Sequence, residues 1–493
     1  MDYEIAIIGA GFGGLIAAVN LQDAGISSFI ILEKAAALGG VWRENNYPGA
    51  GCDVRSDFYS IKGLPNPNWS HHFSDRKEIL DYLHSVADKR NLEKHIRFNY
   101  EVSSMQFSSQ NGYWKIDSDT NESIYAKIVI LATGPFRLPV IPSISRLDGF
   151  KGAYFHSSKW NDKIALVGKN VVVIGTGSSA AQIIPAIAPL VNSLQVIQRT
   201  PGWVLYKWNG KRSTFKRMLF AKLPFLQKLS RTIHFWILEL VGLLFMNQKT
   251  IHSFFSWLAL HKLKTEVTNP TIRKQLTPDY PLGCKRIILS DDYLSTFNRN
   301  NVFLTTGSVT EIYPDYVKVG EKKIAADVIV FATGFNVANL DSYINIIGIN
   351  GINLVEGLQN QDPEAFLGLQ FSGFPHLCMQ LGPNSGLYHT SVLHVIESQM
   401  KYIIQLSKYL KSEPNKWIDV NKKVQTAYYK NIQDSLRKTI WSKGCTGWYL
   451  NRRGMNVVHY PHLAKHYRKN TAQFNISHYD VHNSIELQIN INP

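Results

Sequence analysis

Residues 4–8 (EIAII) are apolar at every position after Glu4 and stop at Gly9, and the GAGFGG that follows opens into apolar positions at Leu15, Ala18 and Leu21. A short continuous apolar run reads as a buried strand, and a spacing of three reads as one face of a helix. A second run over residues 29–32 ends at Glu33, completing a strand–helix–strand unit with an acid at the tip of its second strand. The pattern recurs further on. Residues 171–174 lead into GTGSSA, then a helix through Ile184 and Ile187, then a strand over residues 194–198 that ends at Arg199.

Each unit closes in the same way. KIVILATGP at 127–135 and DVIVFATGF at 327–335 are apolar strands finishing on Ala-Thr-Gly, each after a strand-rich stretch, at 97–116 and 302–319. Asn111 and Gly112 supply a hairpin turn in the first of these. The expected fold class is therefore α/β, with two Rossmann-like dinucleotide-binding domains. Sequence after about residue 340 has no dinucleotide pattern of its own, so the second fold is read as inserted into the first. Residues 1–150 begin the first domain, 151–204 with 281–340 make the second, 205–280 form a helical lid or insertion, and 341–493 complete the first. In that last part, 381–403 read as a glycine-rich loop and then an amphipathic helix with Val392, Val395, Ile396, Met400 and Ile403 on one side.

Gly9, Gly11 and Gly14, and at the second site Gly175, Gly177 and Ala180, stand where such a turn needs small residues. The first permits the tight turn, the second lets backbone N–H groups reach a pyrophosphate at the positive helix end, and the third lets helix pack on strand. Glu33 lies 24 positions after Gly9 and Arg199 lies 24 positions after Gly175. A carboxylate there accepts hydrogen bonds from ribose hydroxyls, whereas a guanidinium pairs with a 2′-phosphate. The first site is thus expected to hold FAD and the second NADP(H), an arrangement for passing hydride from a nicotinamide to a flavin.

Composition narrows the reading. With 493 residues, 45% hydrophobic and 18% charged, the chain is a multidomain globular protein and not a disordered, collagen-like or coiled-coil one. The net charge of +16 is concentrated: residues 205–286 hold fifteen Lys and Arg against Glu239, Glu266 and Asp279, a local +12. An apolar run at 235–246, broken by Glu239, lies inside that segment, so contact with a membrane surface through 205–286 is considered, while nucleic acid is not expected as a partner. No leader is read at the N-terminus. Cys52, Cys284, Cys378 and Cys445 are widely spaced with no CxxC pair, so neither a disulfide framework nor a zinc or other metal site is expected. A cytoplasmic location, peripheral at the membrane if the basic segment docks, fits best, and no oligomeric state is implied. The same absence of a cysteine pair argues against a disulfide reductase of similar layout.

At residues 150–160, FKGAYFHSSKW contains Phe150, Gly152, His156 and Trp160 in the pattern FxGxxxHxxxW, between the first Ala-Thr-Gly and the second glycine turn. In this the chain resembles the class B flavoprotein monooxygenases, related to the flavin-containing monooxygenases, and among them the Baeyer–Villiger monooxygenase family, which Trp160 favours. The resemblance covers most of the chain. It implies that the stretch 39–60 contacts the flavin, with Gly40, Val41, Trp42, Tyr47, Cys52, Asp53 and Tyr59 carried over together with Val102. It implies further that Ser178, Ser179, Arg199 and Thr200 face NADP, with Lys285 of PLGCKR at the 2′-phosphate and Arg286 beside the flavin, held by Asp53. An oxygen anion formed in a dry site needs a fixed positive group that does not lose its charge, and arginine meets that need. Arg286 and Asp53 are therefore the catalytic candidates, and His156 is assigned a hinge or structural role. The implied reaction is NADPH- and FAD-dependent Baeyer–Villiger oxidation, via a C4a-peroxyflavin, of a ketone or aldehyde to an ester or lactone. The alternatives are N- or S-oxygenation of a heteroatom substrate with O2, or a non-oxygenating, membrane-docked flavin redox-binding protein. Asn161 before Asp162, His376 and Tyr388 depart from the family pattern, and the last two are expected to reshape the substrate pocket.

Overall fold

A computed structural model of the chain describes residues 1–246, 251–338, 344–360, 362–442 and 444–484. The domain boundary read near residue 340 lies outside the described residues. The first sheet is begun by β1 (Tyr3–Ile8), β2 (Phe29–Leu32), β3 (Ile96–Arg97), β4 (Val102–Ser108), β5 (Tyr113–Ser118) and β6 (Ser123–Leu131). β1 pairs in parallel with both β2 and β6, and helix α1 (Phe12–Asp23) makes the crossover. Ile5 and Ile7 enter the core on one face of β1, and Ala6 and Ile8 enter the core on the other. Burial on both faces is why the strand reads as an unbroken apolar run and not as an alternating one.

The second sheet repeats the arrangement. It contains β7 (Ala153–His156), β8 (Asn170–Ile174), β9 (Ser193–Gln198), β10 (Val302–Thr306) and β11 (Val328–Phe331) in the order β10-β9-β8-β11-β7, parallel throughout. Val171 and Val173 face one core and Val172 and Ile174 the other, with α2 (Ser178–Ile187) as the crossover helix. The chain then returns to the first sheet, adding β12 (Asn345–Ile347) beside β4 and β13 (Leu377–Met379) beside β6. The fold is α/β with two Rossmann-like domains, the second inserted into the first.

The insertion between β9 and β10 begins with the helices α3 (Thr214–Lys222), α4 (Pro224–Met246) and α5 (Ile251–Glu266). One face of α4 is tied to the first domain by polar contacts. Arg231 donates to both carboxylate oxygens of Glu397 at 2.7 and 2.9 Å, and buried Glu239 accepts from His389 Nε2 at 2.9 Å and from the backbone N–H groups of Ala464 and Lys465. The acid that interrupts the apolar run is thus an anchor of the helix. Helix α6 (Val392–Ser412) packs on α1, with Ile396, Met400 and Ile403 in the core the two helices share, while Val395 is buried in a separate cluster with Phe58 and Phe235, and Val392, in the first turn, stays 37% exposed. Among the described residues, no helix is long and apolar enough to cross a membrane.

The reading of the cysteines is corrected. Cys284 and Cys445 form a disulfide, with Cα atoms 5.4 Å apart across 161 residues of sequence, while Cys52 and Cys378 are free and buried. Local spacing reveals only neighbouring pairs, and this pair is created by the docking of the C-terminal region on the second domain. The cysteines therefore lend no support to a reducing compartment.

Candidate active site

The two glycine turns are built alike. Gly9 has φ of +108° and Gly175 of +116°, and a Cβ on either would lie 2.9 and 2.4 Å from the carbonyl oxygens of Ala132 and Ala332. The two Ala-Thr-Gly segments thus press their backbone on the turns, which is why both partners are small. A Cβ at Gly14 would lie 2.0 Å from the Gly9 carbonyl oxygen, so the third glycine is what lets α1 close on β1. Gly11 and Gly177 occupy the N-cap positions of α1 and α2 without any side-chain cap, and a Cβ at Gly177 would meet nothing within 4 Å. Both helices therefore present uncapped first-turn N–H groups at the end of a parallel sheet, the arrangement that receives a pyrophosphate.

Glu33, only 5% exposed, accepts from Ala10 N at 2.7 Å and Ala35 N at 3.0 Å, and Arg43 approaches it at 3.5 Å. Its carboxylate therefore braces the first turn from the tip of β2. Gly40, with φ of +52°, comes so near that a Cβ on it would lie 3.0 Å from the Gly11 Cα, and Val41 and Trp42 follow in a single helical turn. At the second turn, Ser178 and Ser179 begin α2, Arg199 is exposed at the end of β9, and the Thr200 carbonyl accepts from Thr176 Oγ1 at 3.1 Å. Lys285 has its ammonium pKa lowered by burial and then by the neighbouring charge of Arg199, which places two cations together beside the second turn.

Between these two sites lies the Arg286–Asp53 pair. Arg286 donates through Nε at 3.0 Å and Nη2 at 2.5 Å to the same oxygen of Asp53. Arg286 exposes 45% of its side chain, so its guanidinium is paired and still accessible. Burial alone would raise the Asp53 carboxyl, but the charge and hydrogen bonds of Arg286 outweigh it and hold the group below the ordinary carboxylate range. Asp53 in turn raises Arg286. Cys52 and Tyr59 lie against the pair, both pushed up by burial and so neutral, and Tyr59 accepts a hydrogen bond from Trp42 Nε1 at 3.1 Å. The stretch 39–60 thus brings Trp42, Cys52, Asp53 and Tyr59 to one arginine.

The flavin-binding monooxygenase-like family model matches residues 2–356. The chain belongs to this family. It is 36% identical to a Baeyer–Villiger monooxygenase of Streptomyces coelicolor, over 97% of this chain and 92% of that protein. It is 34% identical to a Baeyer–Villiger monooxygenase of Pseudomonas aeruginosa, over 97% and 91%. The crystal structure of OTEMO in complex with FAD and NADP superimposes with a TM-score of 0.86 at 26% identity, covering 97% of this chain and 99% of that one.

Within this flavin-binding monooxygenase-like chain, two of the residues expected at the flavin are also built into domain cores. The Tyr47 hydroxyl donates to Gln182 Oε1 at 2.9 Å, so the ring is packed into the core of the second domain against α2. Val102 is buried at the start of β4 within the core of the first sheet. His376 is not a pocket residue. It is buried between Lys127 O and Ile418 N, which its two ring nitrogens bond at 3.0 and 2.9 Å, and burial lowers its pKa to about 3. His156, at the end of β7, bonds Gly334 O at 3.0 Å and Ser158 Oγ at 2.9 Å, tying that strand to the second Ala-Thr-Gly segment.

Tyr388 does remain beside the site. Its hydroxyl donates to Lys285 O at 3.1 Å, and its ring packs with Trp441 and His459, which stack with centroids 4.2 Å apart. Burial and then the charge of Arg286 lower His459 to about 3, so it is a neutral ring near the guanidinium. Trp441 Nε1 donates to Gly283 O at 3.2 Å and Tyr449 OH to Cys284 O at 2.8 Å, clasping the backbone next to Lys285 and Arg286. The aromatic cluster at 445–454 was visible in the sequence. Its location was not, because a 161-residue separation leaves no local pattern.

Proposed function

We propose that the chain is an NADPH- and FAD-dependent monooxygenase that inserts one oxygen atom of O2 beside the carbonyl of a ketone or aldehyde, giving an ester or lactone and water. The observation that carries this reading is the guanidinium of Arg286, partly exposed and held by two hydrogen bonds to one oxygen of Asp53, in a chain that also carries two dinucleotide turns. The residues fit the two cofactors. Gly9, Gly14 and Gly175 stand where any Cβ would strike backbone, and α1 and α2 offer uncapped N–H groups at the same points. When bound, FAD accepts hydride from NADPH and activates O2.

The chain's own residues account for the remaining requirements. The first-turn N–H groups of α1 bind the FAD pyrophosphate, with Glu33 bracing that turn, and those of α2 bind the NADP pyrophosphate. Arg199 and Lys285 take the 2′-phosphate through charge-assisted hydrogen bonds. Arg286 keeps a fixed positive charge where negative charge develops on oxygen, and Asp53 holds the guanidinium plane in position. Cys52, Tyr59 and the rings of Tyr388, Trp441 and His459 lie about the guanidinium as neutral groups. The same reading includes peripheral contact with a membrane surface through residues 205–286.

The test is product analysis of the FAD-loaded protein with NADPH, a cyclic ketone and ¹⁸O2. Lactone carrying one labelled atom per NADPH oxidised is expected. NADPH oxidation matched only by hydrogen peroxide, across a panel of ketones and thioethers, would remove the oxygenase reading.

A further inference from the structure

Helix α4 has two faces of opposite character. Its inner face carries the anchors Arg231 and Glu239, while along its outer face Phe225, Leu229, Ile233, Trp236, Leu240 and Leu243 are each between 47 and 59% exposed. Their spacings of four, four, three, four and three residues place them in one stripe, and at 1.5 Å per residue the stripe is about 27 Å long. Phe254 and Trp257 continue the exposed apolar surface on α5, and Phe215 and Met218 do so on α3. Scattered exposed apolar side chains need no explanation, but a contiguous patch on this scale marks a surface that is covered by something.

The charge around the stripe says what covers it. Residues 205–265 contain eleven Lys and Arg and one acid, Glu239, which is buried on the inner face; Arg212, Arg231 and Lys262 are paired with Asp57, Glu397 and Glu266, and the surface charge comes from the others. Lys211, Lys222, Lys228 and Lys264 are exposed on the same helical segment. A second copy meeting this face about a two-fold axis would set the two basic surfaces against each other, which like-charge repulsion opposes. An acidic bilayer surface satisfies both features at once: the apolar stripe enters the headgroup boundary, the lysines meet anionic phosphates, and tryptophan suits the interface.

We infer that helices α3 to α5 form a monotopic docking face for an anionic lipid bilayer, with the stripe from Phe225 to Leu243 as its insertion edge. This deepens the reading of 205–286 as a membrane contact and is independent of the oxygenation chemistry. The inner face of the same helix holds His389, next in sequence to Tyr388 at the catalytic site, so docking lays the lipid surface on the side of α4 opposite the site.

The experiment is flotation of the FAD-loaded full chain with vesicles of phosphatidylcholine alone or with 30% phosphatidylglycerol added. Binding to the anionic vesicles and release at 1 M NaCl, where the Debye length falls to about 3 Å, are expected. The W236E/L240E variant should lose about tenfold or more of that binding with unchanged flavin absorbance and unchanged turnover of a water-soluble ketone. The K211E/K222E/K228E variant should lose anionic selectivity, which keeps the proposal testable if the first variant fails to fold. Equal binding to both vesicle types, no binding to either, or a dimer in sedimentation that W236E/L240E dissociates would each overturn it. None of these results touches turnover of the soluble ketone, so failure here is distinguishable from failure of the monooxygenase reading.

Discussion

Replacing Arg286 with Ala tests the centre of the mechanism. The guanidinium makes two hydrogen bonds, at 3.0 and 2.5 Å, to one oxygen of Asp53, and the second oxygen of that carboxylate is not needed to fix its plane. Removal takes away the positive group aimed at the developing oxygen anion and leaves the Asp53 carboxylate in the same space without its cation. Loss of one preorganised donor of this kind costs about 3 to 4 kcal/mol of barrier, or about 10² to 10³ in turnover. Asp53 worsens the loss to the extent that it stays ionised, because an unpaired carboxylate repels the anion that must form. Arg286→Lys retains charge but not the planar fork, so it should fall between the parent and the Ala variant. The assay follows NADPH oxidation, hydrogen peroxide and ester in parallel. NADPH oxidation is expected to continue while peroxide replaces ester and ester formation drops at least about 100-fold. Ester yield from Arg286→Ala within a few-fold of the parent would refute the reasoning.

On the proposed assignment of Arg199 and Lys285 to the 2′-phosphate, Arg199→Ala and Lys285→Ala should each lower kcat/KM for NADPH by about 10- to 100-fold, the worth of a charged hydrogen bond, with little effect on NADH. Steady-state kinetics with the two coenzymes checks this. Reduction of the Cys284–Cys445 disulfide, or Cys445→Ser, should lower Tm, because an opened 161-residue loop returns about 2 to 4 kcal/mol of chain entropy to the unfolded state. Calorimetry with and without reductant reads the shift. Asp53 has a lowered pKa in the folded state, so its pairing contributes stability that is fully present above the ordinary carboxylate value of 3.8 and is lost as pH falls through the lowered one. The stability difference between the parent and Asp53→Asn should therefore stay constant from pH 7 down to about 4 and close below it, as measured by denaturant unfolding.

The Rossmann-like units were legible because their signals are local. A strand buried on both faces must be apolar at every position, a turn that meets the backbone of Ala132 or Ala332 must be glycine, and each of these constraints falls within about thirty residues. Glu33 and Arg199 were legible for the same reason, since each ends a strand at a set distance from its turn. Other residues make contacts that the family pattern, carried over without its surroundings, does not show. Tyr47 sits in a stretch that also serves Arg286, yet its hydroxyl reaches Gln182 in the other domain, and His376 closes backbone hydrogen bonds inside the first domain.

What the sequence determined by itself is the pair of nucleotide turns, their order and the charge that distinguishes them, because short-range sterics and hydrogen bonding demand particular residues at particular spacings. The tertiary structure alone decided which distant groups meet. It brought Asp53 to Arg286 across 233 residues, Cys284 to Cys445, and the aromatic rings of the C-terminal region to Tyr388, and it turned one side of α4 outward. Such contacts arise from the packing of whole domains, and packing leaves no period along the chain from which they could be read.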